Sequence, residues 1–264
     1  MIPAALHLHS TFSDGEFTLA ALRERCRADG FRAALMADHG DAFDAPAIDR
    51  FTRECAASSD GDFLFVPGLE FSCRDRMHIV GYGVTSLVDS DEPETVIAHI
   101  RDHSGIAVIA HPKTEHFPII ESLRVLPHGV EAWNTKYDGR AAPRPVTFEL
   151  IRRMRARGQM VLAFYGLDLH WRFQFRGLVN QIDAPALRTG ELLAALAAGT
   201  FLAECGGTTL LPTGELEESV ARRFARRHAR SLAVRNVLRE SKRFADRVGI
   251  PTPATLKAQL RRLF

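Results

Sequence analysis

Short runs of almost unbroken apolar residues alternate with amphipathic helical segments, and this alternation limits the fold more than any other feature of the chain. The runs lie near Ala4 to His9, Arg32 to Ala37, Phe63 to Pro67, Ile79 to Tyr82, Ile106 to Ala110, Gly129 to Trp133 and Met160 to Phe164. Between them, Thr18 can cap a helix whose Leu19, Leu22 and Cys26 share one face before Gly30 stops it. Further helical stretches surround Ala45 to Ala57, Glu94 to Asp102 and Thr147 to Arg157. A strand that is apolar on both sides must be covered on both sides, so the alternation indicates a parallel sheet sheathed by helices, an α/β fold. About seven strands, with no GxGxxG after the first, favour a barrel over an open dinucleotide-binding sheet. With 264 residues, 46% of them hydrophobic and 25% charged, the chain can bury a full core.

In a barrel of parallel strands chemistry gathers at the C-terminal ends of the strands, so polar residues just after each apolar run should converge on one mouth. The runs end in HLHSTFSD (His7, His9, Asp14), MADHG (Asp38, His39), VPGLE (Glu70), IAHP (His111) and YGLDLH (Asp168, His170), while His78 of MHIVG opens a strand. His7 and His9 stand two apart on the first strand, where alternate residues share a face, so both imidazoles lean into one space. Six of the 11 histidines occupy such positions, joined by three acidic residues that can also ligate metal. A lone histidine at a strand end is ordinarily a hydrogen-bonded core or surface residue. Two same-face pairs together with four more strand-end candidates are not explained that way. Imidazole and carboxylate without thiolate suit Zn, Mn or Fe. His99 and His103, four apart in a helix, and His116, His128 and His228 read as structural or surface residues.

Taken in order and spacing, LHLHSTFSDG, ADHG, GLE, HIVGYG, AHP and GLDLH resemble the motifs of the PHP family, the polymerase and histidinol phosphatase metallohydrolases. The resemblance covers roughly residues 4 to 180. It implies a distorted (β/α)7 barrel and a cluster of two or three divalent metal ions. By that resemblance His7, His9, Glu70 and Asp168 hold one metal; Asp14, His39 and His170 a second; and Glu70, His78 and His111 a third, with Glu70 bridging. Catalysis is then expected to rest on Glu70, Asp168 and His170. Two positions depart from the pattern: Asp14 stands where some relatives use histidine, and Leu167 stands where a small polar residue is commoner beside the aspartate.

A metal lowers the pKa of its water from about 15.7 towards about 7, and a pair of ions can hold attacking and phosphoryl oxygens together. Hydrolysis of a phosphoester follows, on a small phosphorylated metabolite or nucleotide. Candidate phosphate-binding residues are Arg74 and Arg76 after Glu70, Lys113 after His111, Lys136 and Arg140 after the sixth strand, and Arg172 and Arg176 past His170. Arg172 and Arg176 stand out, because Trp171, Phe173 and Phe175 interleave with them in a mix that could stack a base and clamp its phosphate, or pack the rim. Asp38, Trp133 and Asn134 are rim residues without a defined role. Alternatives are a 5'-phosphate-dependent oligonucleotide nuclease, a non-catalytic metal-binding accessory module, and an amidohydrolase-type enzyme.

The formal charge of +2 conceals an uneven distribution: residues 213–264 carry 13 Lys and Arg against five Asp and Glu, or +8, leaving −6 elsewhere. The expected organisation is a barrel over residues 1–207 and a basic helical C-terminal extension over 208–264. Val234, Val237, Leu238 and Val248 form an approximate apolar stripe in that extension, which reads as a solvated helix packed on the barrel or as an attractor of nucleic acid or an anionic surface. Before it, residues 189–207 read as another helix and strand. Cys26, Cys55, Cys73 and Cys205 lack CxxC spacing and read as reduced thiols. No segment approaches the apolar length of a membrane span, and a cytoplasmic protein is expected.

Overall fold

The computed structural model describes residues 1–139, 141–174 and 177–247, so Arg140, Phe175, Arg176 and the end of the basic extension lie outside the described residues. The first half of the chain runs β1 (Ile2–Leu8), α1 (Leu19–Ala28), β2 (Ala33–Met36), β3 (Asp38–His39), α2 (Ala45–Ala57), β4 (Leu64–Val66), β5 (Gly68–Cys73), β6 (Met77–Tyr82), α3 (Pro93–Asp102) and β7 (Ile106–Ala110). The second half runs α4 (Phe117–Ser122), β8 (Gly129–Asn134), α5 (Pro145–Ala156), β9 (Leu162–Gly166), β10 (Val179–Ile182), α6 (Thr189–Ala198), β11 (Phe201–Cys205), β12 (Thr208–Leu210) and α7 (Glu218–Arg247). All seven expected strands form, and the fold is α/β as the alternation indicates.

Local chemistry sets the helix ends. The Thr18 hydroxyl accepts from the Ala21 N–H at 3.3 Å, and the Asp44 carboxylate accepts from the Ala47 N–H at 2.8 Å, each satisfying a donor that the first turn leaves unpaired. Each helix then buries one stripe: Leu19, Leu22 and Cys26 from α1, Ile48, Phe51 and Cys55 from α2, Val96, Ile97 and Ile100 from α3, and Leu150, Ile151 and Met154 from α5. Burying a Leu, Ile or Phe side chain contributes roughly 1.5–3 kcal/mol. These stripes therefore hold the helices on the strands.

The strands form two six-stranded sheets, ordered β12-β11-β10-β1-β2-β4 and β3-β5-β6-β7-β8-β9. Of the four passages of the chain between them, two are single-residue crossings at the same level, Ala37 between β2 and β3 and Pro67 between β4 and β5. Proline has no N–H for a ladder, so a break at Pro67 is expected. On the other side, Leu167 and Leu169 donate N–H groups to the carbonyls of Leu6 and His7 at 2.9 and 3.0 Å, carrying the end of β9 against β1. The sheets are not wholly parallel: β6 is antiparallel to both β5 and β7. Only the three residues Arg74–Arg76 join β5 to β6, with Asp75 and Arg76 at φ +59° and +58°. A parallel connection needs a dozen or more residues, so so short a link forces a reversal.

Residues 189–207 form a helix and a strand as read, and β10–β12 extend the sheet antiparallel from the outer edge of β1. The extension forms α7, but its inward face differs from the expected one. Among the described residues Val220, Ala221, Arg223, Phe224, His228, Ser231, Arg235 and Leu238 are the shielded positions, falling on one face at a helical period, while Val234 and Val237 are exposed. Phe224 packs edge-on against Trp133 with ring centres 5.8 Å apart, and polar bonds from Arg223 to Thr208 and from Arg235 to the Tyr137 carbonyl continue the contact. Val248 lies outside the described residues. Among the described residues no helix is long and apolar enough to cross a membrane.

Candidate metal centre

The site begins with an irregularity in β1. Leu6 pairs with Leu35 and Leu8 with Met36, so His7 is an extra residue in the ladder, a bulge, with φ +64°. His111, just past β7, and Asp168, just past β9, also have positive φ, +28° and +51°. A non-glycine residue in that region costs of order 1–3 kcal/mol and persists where its surroundings over-determine it. Here the three strained residues all aim side chains into one space.

Glu70, from the middle of β5, is the hub. Its Oε1 lies 3.1 Å from His78 Nδ1, 3.0 Å from His111 Nε2 and 3.6 Å from His7 Nε2. Its Oε2 lies 3.2 Å from His39 Nδ1 and 3.6 Å from His9 Nε2. Asp168 Oδ1 is 3.1 Å from His170 Nδ1, 3.6 Å from His9 Nε2 and 3.8 Å from His7 Nε2. Asp14 Oδ1 closes the outer side, 3.2 Å from His170 Nε2 and 3.6 Å from both His39 Nε2 and His9 Nδ1. The structure thus brings all nine candidate ligands together. The reversal of β6 explains His78: the start of an antiparallel strand lies beside the ends of its neighbours.

Potential ligand atoms within 4.8 Å of one another form four overlapping groups: His9, Asp14, His39 and His170; His7, His9 and Asp168; His7, Glu70 and His111; and His39, Glu70 and His78. The second set implied by the resemblance falls in one group, with His9 added. The first set is divided between two groups, and His78 and His111 fall into different groups that Glu70 shares.

Electrostatics match this grouping. Burial alone would lower the His7 pKa, but Glu131, Asp168 and Glu70 together outweigh it and hold His7 well above the ordinary imidazole value. Conversely, burial would raise Glu70 and Asp168, yet the surrounding histidines, and for Asp168 also Lys136, bring both carboxyls well below theirs. For His9 burial wins, helped by His7 and His170, and it stays neutral with a depressed pKa. Burial likewise lowers His39. His7 Nε2 and both ring nitrogens of His9 are buried without any hydrogen-bond partner among the described residues. Buried polar atoms are ordinarily bonded, and orphaned imidazole nitrogens facing ionised carboxylates are what a divalent cation would satisfy. The donor set therefore fits metal ions, and all four cysteines are free and belong to none of the groups.

The loop that carries Asp14 is tied down by Asp38, whose role the sequence left open. Asp38 is buried and accepts from the Ser10 N–H at 2.8 Å, from the Ser13 hydroxyl at 2.7 Å and from the Ser10 hydroxyl at 3.0 Å. A Cβ on Gly15 would sit 2.3 Å from the His9 carbonyl oxygen, so this tight return needs glycine. Asn134, the other undefined residue, donates from Nδ2 to Glu131 Oε2 at 2.9 Å and to Asp168 Oδ2 at 3.1 Å.

Basic residues separate into two kinds. Lys136 enters the cluster, with Nζ 3.2 Å from Asp168 Oδ1 and 3.1 Å from His170 Nε2. Lys113 and Arg74 are exposed and pair with Glu115 and Glu92. Arg172 lies over the Phe17 ring at 5.6 Å, and Arg176 falls outside the described residues. Trp171 stacks on Phe173 with ring centres 5.7 Å apart and stands 5.6 Å from the His170 ring; the Tyr137 ring lies tilted against His111 with centres 4.5 Å apart. Of the outlying histidines, His99 and His103 have ring centres 4.3 Å apart but belong to no ligand group.

Sequence reasoning missed Glu131. It is buried in β8, with Oε1 2.7 Å from His7 Nδ1 and Oε2 accepting the His111 N–H at 2.8 Å. The available signal was a charged residue inside the apolar run GVEAWN.

No protein-family model matches the chain, and no curated protein matches it in sequence. Solved structures do match. A two-domain protein containing a predicted PHP-like metal-dependent phosphoesterase from Bacteroides vulgatus superposes with TM-score 0.57 at 15% identity, over 86% of this chain and 69% of that one. PsfC from Pseudomonas syringae superposes with TM-score 0.54 at 12% identity, over 91% and 98% of the two chains. An amidohydrolase from Chromobacterium violaceum gives TM-score 0.49 at 15% identity, over 75% and 97%. The chain shares its fold with the Bacteroides vulgatus protein that contains a predicted PHP-like domain and with PsfC.

Proposed function

We propose that this chain is a metal-dependent phosphoesterase that hydrolyses a small phosphorylated metabolite or nucleotide. The observation that carries the reading is the set of overlapping histidine and carboxylate groups around Glu70 and Asp168, with buried imidazole nitrogens that no described residue satisfies. His7, His9, Glu70 and Asp168 would hold one ion, Asp14, His39 and His170 a second, and Glu70, His78 and His111 a third, the metal being Zn, Mn or Fe. Such ions supply an activated water and offset charge on phosphoryl oxygens. The nine residues assigned to them all fall within residues 1–207.

The chain's own groups do the rest. The Lys136 ammonium brings a positive charge to the mouth where phosphoryl oxygens would gather, and a fixed charge there needs no reorganisation as the transition state forms. Tyr137, its ring tilted against His111, has its hydroxyl pushed up to about 12, first by burial and then by the nearby carboxylates, and so keeps its proton near neutral pH. Lys136 and Tyr137 are the candidates to protonate the departing alkoxide. Arg172 and Lys113 stand at the rim as candidates for outer phosphate oxygens, while Arg74 would first have to leave Glu92. The stacked Trp171 and Phe173 favour a substrate with a planar base over a sugar phosphate.

The test is phosphate release by manganese-loaded protein from sugar phosphates, nucleotides, cyclic nucleotides and 5'-phosphorylated oligonucleotides, beside Asp168→Asn. Release that the substitution eliminates supports the reading. Silence across the panel with metal bound contradicts it and moves the search to amide or lactone substrates or to a partner protein. A nuclease is the second reading, favoured by exposed Arg226, Arg230, Arg239 and Arg243 on α7. Replacing those four with glutamine should flatten the salt dependence of oligonucleotide binding, and unchanged binding would remove that reading.

A further inference from the structure

We infer that Glu131 is the positioning residue of the metal centre, fixing the aim of three of its ligands without binding metal itself; this rests on the metal-dependent reading above. Both of its oxygens are already engaged. Oε1 lies 2.7 Å from His7 Nδ1, and Oε2 accepts from the His111 backbone N–H at 2.8 Å and from Asn134 Nδ2 at 2.9 Å. Neither belongs to a group of converging ligand atoms.

Each of these bonds ends on a candidate ligand or one step from it. A carboxylate can only accept, so it holds a proton on His7 Nδ1, and it is then Nε2, directed at the space between Glu70 and Asp168 3.6 and 3.8 Å away, that would give up its proton to a bound metal. The bond to the His111 N–H fixes the backbone of a residue strained at φ +28°. Through Asn134, whose Nδ2 also lies 3.1 Å from Asp168 Oδ2, the same carboxylate sets the rotamer of Asp168. Histidine ligands ordinarily need such an outer partner, and removing it commonly costs 10–100-fold in metal affinity.

The fold makes room for this residue. The register between β8 and β9 slips between Glu131 and Trp133, a bulge that re-aims the strand. Gly166 on β9, paired with Asn134 and two residues past Phe164, the partner of Glu131, clears the space: a Cβ there would lie 1.9 Å from Glu131 Oε1. A buried charged side chain in a sheet strand, with a glycine cleared for it and both oxygens engaged by three partners, is built for that position.

Glu131→Gln is the discriminating variant, because it is nearly isosteric yet cannot serve all three donors. If its amide oxygen faces His111 and Asn134, its NH2 faces His7 Nδ1 and drives the proton to Nε2, where it blocks coordination. The measurements are zinc affinity by competition titration and the His7 tautomer by 15N spectroscopy of histidine-labelled protein. The expected result is zinc binding 10–100-fold weaker in the variant, with a proton on His7 Nδ1 in the zinc-loaded wild type. Equal affinity in a folded variant overturns the positioning role and leaves the metal reading standing. Absence of zinc binding by the wild type overturns both. Should the variant not fold, the wild-type spectrum decides alone, a proton on Nδ1 supporting the role and a proton on Nε2 overturning it.

Discussion

Adding one methyl group at Gly166 should damage the protein far more than the small size of the change suggests. The new Cβ would lie 1.9 Å from Glu131 Oε1, 3.0 Å from its Cδ and 3.1 Å from His7 Cβ. Ordinary carbon–oxygen contacts begin near 3.3 Å, so the carboxylate must retreat by about 1.4 Å. It has no easy retreat, since its second oxygen holds the His111 N–H and Asn134. Overpacking of this kind costs about 1–3 kcal/mol, and losing the charge-assisted bond to His7 about 1.5–3 kcal/mol more. Because the two overlap, we expect about 3–5 kcal/mol for Gly166→Ala. At about 2–4 °C per kcal/mol for a chain of this size, the melting temperature of the metal-free protein should fall by about 6–20 °C in scanning calorimetry. Gly61, where a Cβ would meet nothing within 4 Å, provides the control, and Gly61→Ala should be close to neutral. In a Glu131→Ala background the Gly166→Ala penalty should shrink, since the clashing oxygen is gone. Melting of Gly166→Ala within about 2 °C of wild type, or an undiminished penalty in the double variant, would refute the packing argument.

Two further predictions rest on groups away from the cluster. His128 accepts the Ala107 N–H on Nδ1 at 3.0 Å, and burial, with a smaller push from Arg101, lowers its pKa to about 4. The unfolded chain therefore binds a proton near pH 6.5 that the folded protein refuses, so stability should fall as pH drops from about 6.5 to about 4. The loss should be about 1–2 kcal/mol after allowing for solvent screening of a partly accessible ring, and His128→Asn should flatten that part of a urea-denaturation series; a slope unchanged by the substitution would contradict it. Asp138 is buried and holds Arg144 Nε at 2.6 Å and the Asn134 N–H at 3.1 Å. Asp138→Ala leaves that guanidinium unpaired and should cost about 3–5 kcal/mol by urea denaturation, more than the double change with Arg144→Met; a loss under about 1 kcal/mol would show the pair to be idle.

How much of this was legible in the sequence depends on the range over which each feature is specified. Local periodicity is written in neighbouring residues, so α2 spans Ala45–Ala57 as read, and the apolar runs are strands. The candidate ligands were legible because strand ends converge by topology, whatever the details. The reversal at β6 was not, because it follows from the three-residue turn at Arg74–Arg76 rather than from periodicity. Nor was the bulge at His7: both imidazoles face the centre, yet through a left-handed residue and not by plain strand alternation. Glu131 is specified by a partner 124 residues away, and a single charged letter in an apolar run does not name that partner. The face of α7 was misread because an apolar stripe locates possible burial only. Its second half is held by Arg235 on the Tyr137 carbonyl, a polar contact that hydropathy cannot register, while Val234 and Val237 point outward.

The measurement closest to the central claim is metal stoichiometry: purified wild-type protein dialysed against manganese or zinc, washed of loose metal and analysed by plasma mass spectrometry, beside His9→Ala. His9 is fully buried, and both of its ring nitrogens lack a hydrogen-bond partner among the described residues. The account predicts at least two tightly held ions per chain in the wild type and fewer in the variant, with the fold retained by circular dichroism. Less than one ion per chain at saturation, or equal content in both proteins, would contradict it.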